Sequence, residues 1–512
     1  MNALSEKIFL QLKSPTEEES LGDQARIRLA LETLGYEPVF FPLSVLRSLY
    51  PLCRNADFDI TVTLVRRESD WAVVQVEAGD TRQYHYGLAV DYGSTTIVMA
   101  LVDMASGSVI AQEKAVNGQV RYGTDILTRI TWSLEAPENP DALQKATAGT
   151  LRELMDALTE ATGISASACP VMVLSGNTTM IHFLLKLNAW TVFAAPYAPI
   201  APDPGFFWGS ELELDFPGLV YIIPAASNYV GGDIVSGLLA LDLHKQEAPS
   251  LFFDIGTNGE LVVGNKDWLL AGAGAAGPAL EGYISPFGMR AAPGAVDTVR
   301  IQGPELRYTT IENQKPRGIC GSGIIDLLAQ MRMNGWINIA GELEPDASPR
   351  IRWMAEENQY AAVYTEAWES ATGRALYFSQ QDIRQYLDTK AAAYTMVECL
   401  LESAGVREDE LAHCWLSGAF PAHSDLESAI TIGLFPDLPR EKYTAIANTS
   451  LLGAQVLLLD RSRLREARQL SQSIYCVQFA SIPDFLVRMQ AAKFIPHTDL
   501  SRYPTVAASL NR

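Results

Sequence analysis

Two short stretches of the chain combine residue types that could handle phosphate. "LAVDYGSTTIVMAL" runs from Leu88 to Leu101 and "LFFDIGTNGELVVG" from Leu251 to Gly264. Each reads apolar strand, Asp, x, Gly, a short hydroxyl or amide run, then apolar strand, which is the pattern of a β-hairpin. Gly93 and Gly256 permit a tight turn whose backbone N–H groups can approach an anion. Ser94, Thr95 and Thr96 offer donors in the first copy; Thr257 and Asn258, followed by Gly259, do so in the second. Asp91 and Asp254 stand at strand ends, where a carboxylate can orient a water or hold a hydrated Mg²⁺. One Asp-x-Gly turn is ordinary turn chemistry. Two, each opening an alternating half, mark an internal duplication and predict a nucleoside triphosphate held between the halves. The chain contains no G-x-x-x-x-G-K-[ST], so it is not a P-loop protein.

Other polar positions admit two readings from sequence. Asp233 in "NYVGGDIVSG" is either the N-cap of a helix or a carboxylate near the γ-phosphate. Glu260 follows the second turn and can take the same role. Asn177, Thr178 and Thr179 in "SGNTTM" form either a plain strand-to-helix turn or part of the binding cleft. "GAGAAG" (272–277) matches G-x-G-x-x-G, but Pro278, Pro286, Gly288, Pro293 and Gly294 follow it. The crossover helix of a dinucleotide fold does not survive those residues. Gly274 and Gly277 are expected instead to line a wall against a purine or ribose. The cysteines at 53, 169, 320, 399, 414 and 476 form no C-x-x-C pair and read as reduced, buried thiols. His182, His413 and Trp415 read as core residues.

These residues need elements to position them. Residues 1–86 predict a small α+β domain: "KIFLQLK" alternates as a strand, "GDQARIRLALETLG" has helical spacing, and alternation on both sides of "RRESD" predicts a hairpin. From Gly87 strands and helices alternate, which predicts an α/β chain with one lobe over 87–248 and a second over 249–512 that ends in a C-terminal helix. At 48% hydrophobic and 19% charged the chain is globular. A net charge of −21 argues against nucleic acid or an anionic membrane as partner. No apolar run approaches the roughly 18–20 residues that span a bilayer, and a cytoplasmic location is expected.

Taken in order, "VDYGSTT", "YGTDILTRI", "SGNTTMIHFLL", "PYAPI", "GGDIVSGLLA", "FDIGTNGE", "AGAGAAGPALEG", "ICGSGIIDLLAQM", "QDIRQ", "LSGAF" and "AAKFIPH" cover nearly all of 85–500. They resemble the reductive activators of corrinoid proteins, within the acetate and sugar kinase/Hsp70/actin superfamily of ATPases. Residues 1–86 resemble the small middle domain of those activators. The resemblance implies a two-lobed, duplicated actin/sugar-kinase-like fold and an ATPase that returns Co(II) of a corrinoid protein to Co(I), in support of methyl transfer. It implies ATP and Mg²⁺ as cofactors, a methyltransferase system's corrinoid protein as partner, and a homodimer. By the same resemblance Gly321, Ser322 and Gly323 lie against the nucleoside, with Gly418 and Ala419 on its other side. Asp326 reads as a ribose contact or as a plain first-turn helix carboxylate, and Cys320 as a small packed residue beside the nucleotide. Full-length activators carry an N-terminal [2Fe–2S] domain, and no C-x₄-C-x₂-C set occurs here; the expectation is that this domain was removed or is naturally absent. Two other readings share the fold: a sugar or carboxylate kinase with Asp233 as base, and a non-catalytic module that holds ATP as a structural ligand.

Overall fold

A computed structural model describes residues 2–510 except 257, 275–279, 281 and 283. The chain forms two compact units, Met1–Asp242 with Thr449–Ser473, and Leu243–Asn448 with Ile474–Arg512.

The first unit opens with β1 (Ser5–Gln11), β2 (Val39–Phe40), β3 (Asp59–Arg66) and β4 (Trp71–Ala78), in the sheet order β1-β3-β4-β2. α1 (Asp23–Thr33) and α2 (Leu43–Asn55) pack on it through Ile27, Leu31 and Leu49 against Ile60, Val62 and Leu64. β3 and β4 are the hairpin that the alternation around "RRESD" predicts. The main sheet follows: β5 (Tyr86–Tyr92), β6 (Thr96–Asp103), β7 (Val109–Val116), β8 (Val171–Gly176), β9 (Gly205–Trp208) and β10 (Leu219–Ile222), ordered β7-β6-β5-β8-β10-β9. Its helices are α3 (Ile126–Glu135), α4 (Asn139–Thr162), α5 (Thr178–Leu184), α6 (Trp190–Phe193) and α7 (Gly232–Leu241).

The second unit repeats the plan. β11 (Ser250–Ile255), β12 (Gly259–Gly264) and β13 (Leu269–Gly274) form its opening meander. Two small sheets are inserted, one of β14 (Ala295–Gln302), β15 (Glu305–Thr310) and β16 (Gly318–Ile319), the other of β17 (Ile351–Met354), β18 (Gln359–Thr365) and β19 (Leu376–Ser379). β20 (Cys414–Ser417), β21 (Tyr443–Ile446) and β22 (Ile474–Cys476) complete the main sheet, ordered β21-β20-β11-β12-β13-β22. The segment β13-β12-β11-β20-β21 therefore matches β7-β6-β5-β8-β10, an antiparallel meander followed by two parallel strands in both units. The helices here are α8 (Gly321–Met333), α9 (Gln380–Ala404), α10 (Ala419–His423) and α11 (Leu426–Thr431). α12 (Thr449–Leu459) and α13 (Arg463–Ser473) come next in sequence, then α14 (Phe485–Ala492) and α15 (Pro504–Leu510).

α12 and α13 depart from the sequence reading, which gave all of 249–512 to one lobe. They belong to the first unit. Leu451, Ala454, Leu457 and Leu458 of α12 are buried, and Gly453 lets the helix approach α7 so closely that a Cβ would overlap the Ser236 carbonyl. Ser236 Oγ donates to the Ser450 carbonyl at 2.6 Å in the same contact. Successive side chains of a strand point to opposite faces. Tyr92 accordingly reaches Thr147 on α4, at 2.7 Å between hydroxyls, while Asp91 reaches Ser450 on α12. Helices cover both faces, which is why β5, β8 and β10 read as unbroken apolar runs and not as alternating ones.

Candidate active site

The first turn is pinned from behind. The carbonyl of Gly93 accepts from Asn117 Nδ2 at 3.0 Å, that of Ser94 from Arg129 Nη1 at 2.6 Å, and that of Thr95 from the Asn117 N–H at 2.9 Å. Gly93 is required here, because a Cβ would stand 2.5 Å from the Thr96 carbonyl. Asn117 is fully buried, and its Oδ1 accepts from the Gln119 N–H at 3.0 Å, which fixes its amide orientation. Arg129 is also fully buried and forms no ion pair among the described residues; burial pushes its guanidinium below the usual range. It sits one turn into α3, whose N-cap Asp125 accepts from the Thr128 N–H at 2.8 Å.

Asp91 is placed by sheet register. It stands beside Ser175 on the parallel strand β8 and opposite Val98 on β6. Ser450 Oγ donates to Asp91 Oδ1 at 2.8 Å and lies 2.9 Å from Ser175 Oγ. Where β8 ends, Asn177 caps α5, its Oδ1 accepting from the Met180 N–H at 3.0 Å, and Thr178 Oγ1 donates to the Ser227 carbonyl at 2.7 Å. Thr179 is buried on the same helix. The start of α7 lies against this turn, and a Cβ on Gly231 would stand 2.5 Å from Asn177 Cα. Gly231, not Asp233, is the N-cap of α7. Asp233 lies in the first turn, a position that favours an anion, and its Oδ1 accepts from the Ile234 N–H at 2.9 Å.

The second unit repeats the acid and alters its neighbour. Asp254 stands beside Ser417 on the parallel strand β20, as Asp91 does beside Ser175. Across the hairpin, however, Asp254 faces Glu260 where Asp91 faces Val98. Directly opposed residues on one sheet face have Cβ atoms about 5 Å apart, so the two half-buried carboxylates form a donor set suited to a divalent cation. The Gly256 N–H donates to the Asn258 carbonyl at 2.9 Å, and Gly259 begins β12 paired with Ile255. Thr257 and Gly277 lie outside the described residues. Gly418 caps α10 at φ +119°, where a Cβ would overlap the Ile255 carbonyl, and its N–H donates to the Ile446 carbonyl at 3.1 Å. Ala419 is the first residue of α10.

Gly321, Ser322 and Gly323 form the first turn of α8, with Cys320 as N-cap. Gly323 is explained by packing, since a Cβ there would overlap the Val296 carbonyl of β14. Gly274 is explained likewise, because its Cβ would run into Met396 of α9. Asp326 is not in the first turn: it is buried in the second, its Oδ2 accepting from the Val299 N–H at 3.2 Å and from Arg300 Nη1 at 2.9 Å, and burial pushes its carboxyl up. Buried His182 joins two segments. Its Nε2 accepts from the Ile200 N–H at 3.0 Å, so Nδ1 carries the proton to the Thr178 carbonyl at 2.7 Å. His413 and Trp415 are half-buried and packed on each other at 4.5 Å between ring centroids, not core as expected; His413 precedes β20, and its Nε2 lies 2.9 Å from Thr444 Oγ1 on β21. Cys53, Cys169, Cys320, Cys399 and Cys414 are buried and Cys476 is half-buried; no cysteine joins a cluster of three or more ligand side chains among the described residues. Among the described residues, no helix is long and apolar enough to cross a membrane.

A doubled meander-plus-parallel sheet, with an Asp-x-Gly turn leaving the first strand of each copy, defines an ATPase fold of the actin and sugar-kinase class. The comparisons narrow this. Residues 248–507 match the family model described as the C-terminal domain of RACo, the ASKHA domain; residues 86–246 match the RACo middle region and 1–83 the RACo linker region. The family's own name "middle region" thus falls on 86–246 and not on the N-terminal α+β domain. The chain is 32% identical over 410 residues to the corrinoid activation enzyme RamQ of Eubacterium limosum, which covers 78% of this chain and 69% of that protein. It is 22% identical over 419 residues to the [Co(II) methylated amine-specific corrinoid protein] reductase of Methanosarcina barkeri, covering 76% and 73%. A solved reductive activator for corrinoid, iron–sulfur protein superposes with a TM-score of 0.89 at 33% identity, over 98% of this chain and 81% of that one. The chain belongs to the family of reductive activators of corrinoid proteins.

Sequence reasoning missed Asn117, Arg129, Ser175, Ser417 and Ser450. The one signal in the sequence is the repeated "LSG" at 174–176 and 416–418.

Proposed function

We propose that this chain uses ATP to drive the one-electron reduction of Co(II) to Co(I) in the corrinoid protein of a methyltransferase system. The observation that carries this reading is the repeated pair of Asp and Ser on neighbouring parallel strands, Asp91 with Ser175 and Asp254 with Ser417. On this reading Gly93, Ser94, Thr95 and Thr96 take phosphate oxygens from one turn, and Gly256, Thr257, Asn258 and Gly259 from the other. Asp254 with Glu260 holds hydrated Mg²⁺ and orients the attacking water. Asp91 does the same work with support from Ser450, and Asp233 faces the γ-phosphate. Asn177 and Thr178 belong to the phosphate side; Gly274, Gly277, Gly321, Ser322, Gly323, Gly418 and Ala419 border the nucleoside. ATP and water give ADP and phosphate, while a low-potential one-electron donor reduces the cobalt. Nucleotide binding helps only through its different affinity for the states before and after reduction. A homodimer is part of this reading.

The test is ATP hydrolysis by the whole chain with and without a cob(II)-corrinoid protein, with Co(I) followed by absorbance and titanium(III) citrate as electron donor. Hydrolysis that rises with the corrinoid protein, and Co(I) that forms only with ATP, are expected. Phosphate appearing on an added sugar or acid would establish the kinase. Nucleotide binding without turnover in every mixture would establish a non-catalytic module.

A further inference from the structure

The first turn and the helix behind it are joined in a way that the Asp-x-Gly motif does not require. Three consecutive carbonyls, of Gly93, Ser94 and Thr95, are each tied back into the protein, two by Asn117 and one by Arg129. A carbonyl oxygen carries partial negative charge, so a turn that is to accept phosphate must keep its carbonyls off the anion and present N–H groups. Left alone, peptides in a short glycine-containing turn rotate readily.

Arg129 adds a charge. Its Nε donates to the Gly123 carbonyl at 2.8 Å and its Nη1 to Ser94 at 2.6 Å, with Met180 Sδ at 3.8 Å from Nη1. Its Nη2 is buried and has no hydrogen-bond partner among the described residues. A fully buried guanidinium without a carboxylate partner is costly, and breaking even in that setting needs a counter-charge. Carbonyl oxygens, with the Asp125 carboxylate one turn away on the same helix, supply only part of one. An anion at the turn supplies the rest, and the attraction between them is strong because little water separates them.

We propose that Arg129, with Asn117, is a positioning residue for phosphate recognition: it turns the carbonyls of the first turn away from the nucleotide and places a positive charge beneath it. The inference rests on the reading of 93–96 as a phosphate turn. It requires that the contribution of Arg129 grow with the number of phosphates, which a purely structural role would not do.

The experiment measures the affinity of the whole chain, with Mg²⁺, for adenosine, AMP, ADP and ATP by calorimetry. Wild type is compared with Arg129→Gln, Arg129→Lys and Asn117→Ala. Arg129→Gln is expected to weaken ATP about 10-fold or more, ADP less, and adenosine less than about 2-fold. Arg129→Lys, which keeps charge but not the two-armed geometry, should fall between. If Arg129→Gln does not fold, Asn117→Ala reads the same selective loss. Equal loss across all four ligands, or none, overturns the inference and leaves the nucleotide reading standing. A wild-type chain that binds none of the four overturns both.

Discussion

Asp254 stands directly beside Ser417 on a parallel strand, and Asp91 stands directly beside Ser175 in the same relation. The duplication thus extends past the turn to the strand that flanks it. It is not symmetric, because the hairpin partner of Asp254 is Glu260 and that of Asp91 is Val98. The second turn holds two carboxylates side by side, the first holds one carboxylate and a serine network.

This asymmetry predicts unequal mutants. Asp254→Asn should lower ATP turnover by about 10²–10³-fold, the usual cost of removing a group that stabilises developing charge. Glu260→Gln should raise the Mg²⁺ concentration needed for half-maximal turnover, and Asp91→Asn should do so less. Steady-state hydrolysis against Mg²⁺ concentration checks the order. Equal effects at Asp91 and Asp254 would show that Glu260 gives the second turn no special role.

The α7–α12 contact should be intolerant of added atoms. Gly453→Ala places a Cβ against the Ser236 carbonyl and should cost about 1–3 kcal/mol. Ser450→Ala removes the hydroxyl between Asp91 and Ser175 and should cost about 1 kcal/mol, with a larger proportional loss of turnover because Asp91 loses its tether. Urea unfolding gives the first quantity and initial rates the second.

Lys390 is fully buried on α9, and its Nζ donates to the carbonyls of Ala492, Phe494 and Pro496 at 2.5, 2.7 and 2.6 Å. Burial pushes this ammonium well below its usual range, and three acceptors for three N–H donors offset that cost. Lys390→Met leaves three buried carbonyls unpaired, each worth about 1–3 kcal/mol, so a loss of at least about 3 kcal/mol is expected in urea. A smaller loss would mean that water replaces the ammonium.

His85 sets a pH dependence. Burial, and after it the charge of Lys7, pushes its imidazole down from 6.5 to about 4; its Nε2 lies 2.7 Å from Ser5 Oγ. Between those values the unfolded chain binds a proton that the folded chain refuses. The contribution is therefore complete above pH 6.5 and is lost as pH falls toward 4, by about 2 kcal/mol at pH 5 and about 3 kcal/mol in all. The difference in unfolding free energy between wild type and His85→Gln, from urea titrations, should shrink by about 2 kcal/mol from pH 7 to pH 5. A difference that is constant with pH would show that His85 titrates normally.

The local chemistry was legible before the fold. Glycine turns, Asp at strand ends, helix stops and the change from period 2 to strand–helix alternation all depend on residues within a few positions of one another. Those signals located both turns and the duplicated α/β plan. They carried no sign that 449–473 would cluster with the first unit, because what groups α12 there is not its own pattern but the close approach that Gly453 allows to α7.

The amino-acid sequence by itself determined that two Asp-x-Gly turns exist and what each can bond. Only the tertiary structure decided what stands beside them. Asp91 meets Ser450 across 359 positions, Ser94 meets Arg129 across 35, and Asp254 meets Ser417 by the register of two parallel strands. Turn propensity is set by neighbours along the chain, whereas register and helix packing are set by the burial of whole faces. A serine or arginine far along the chain therefore carries no mark of the loop it will support.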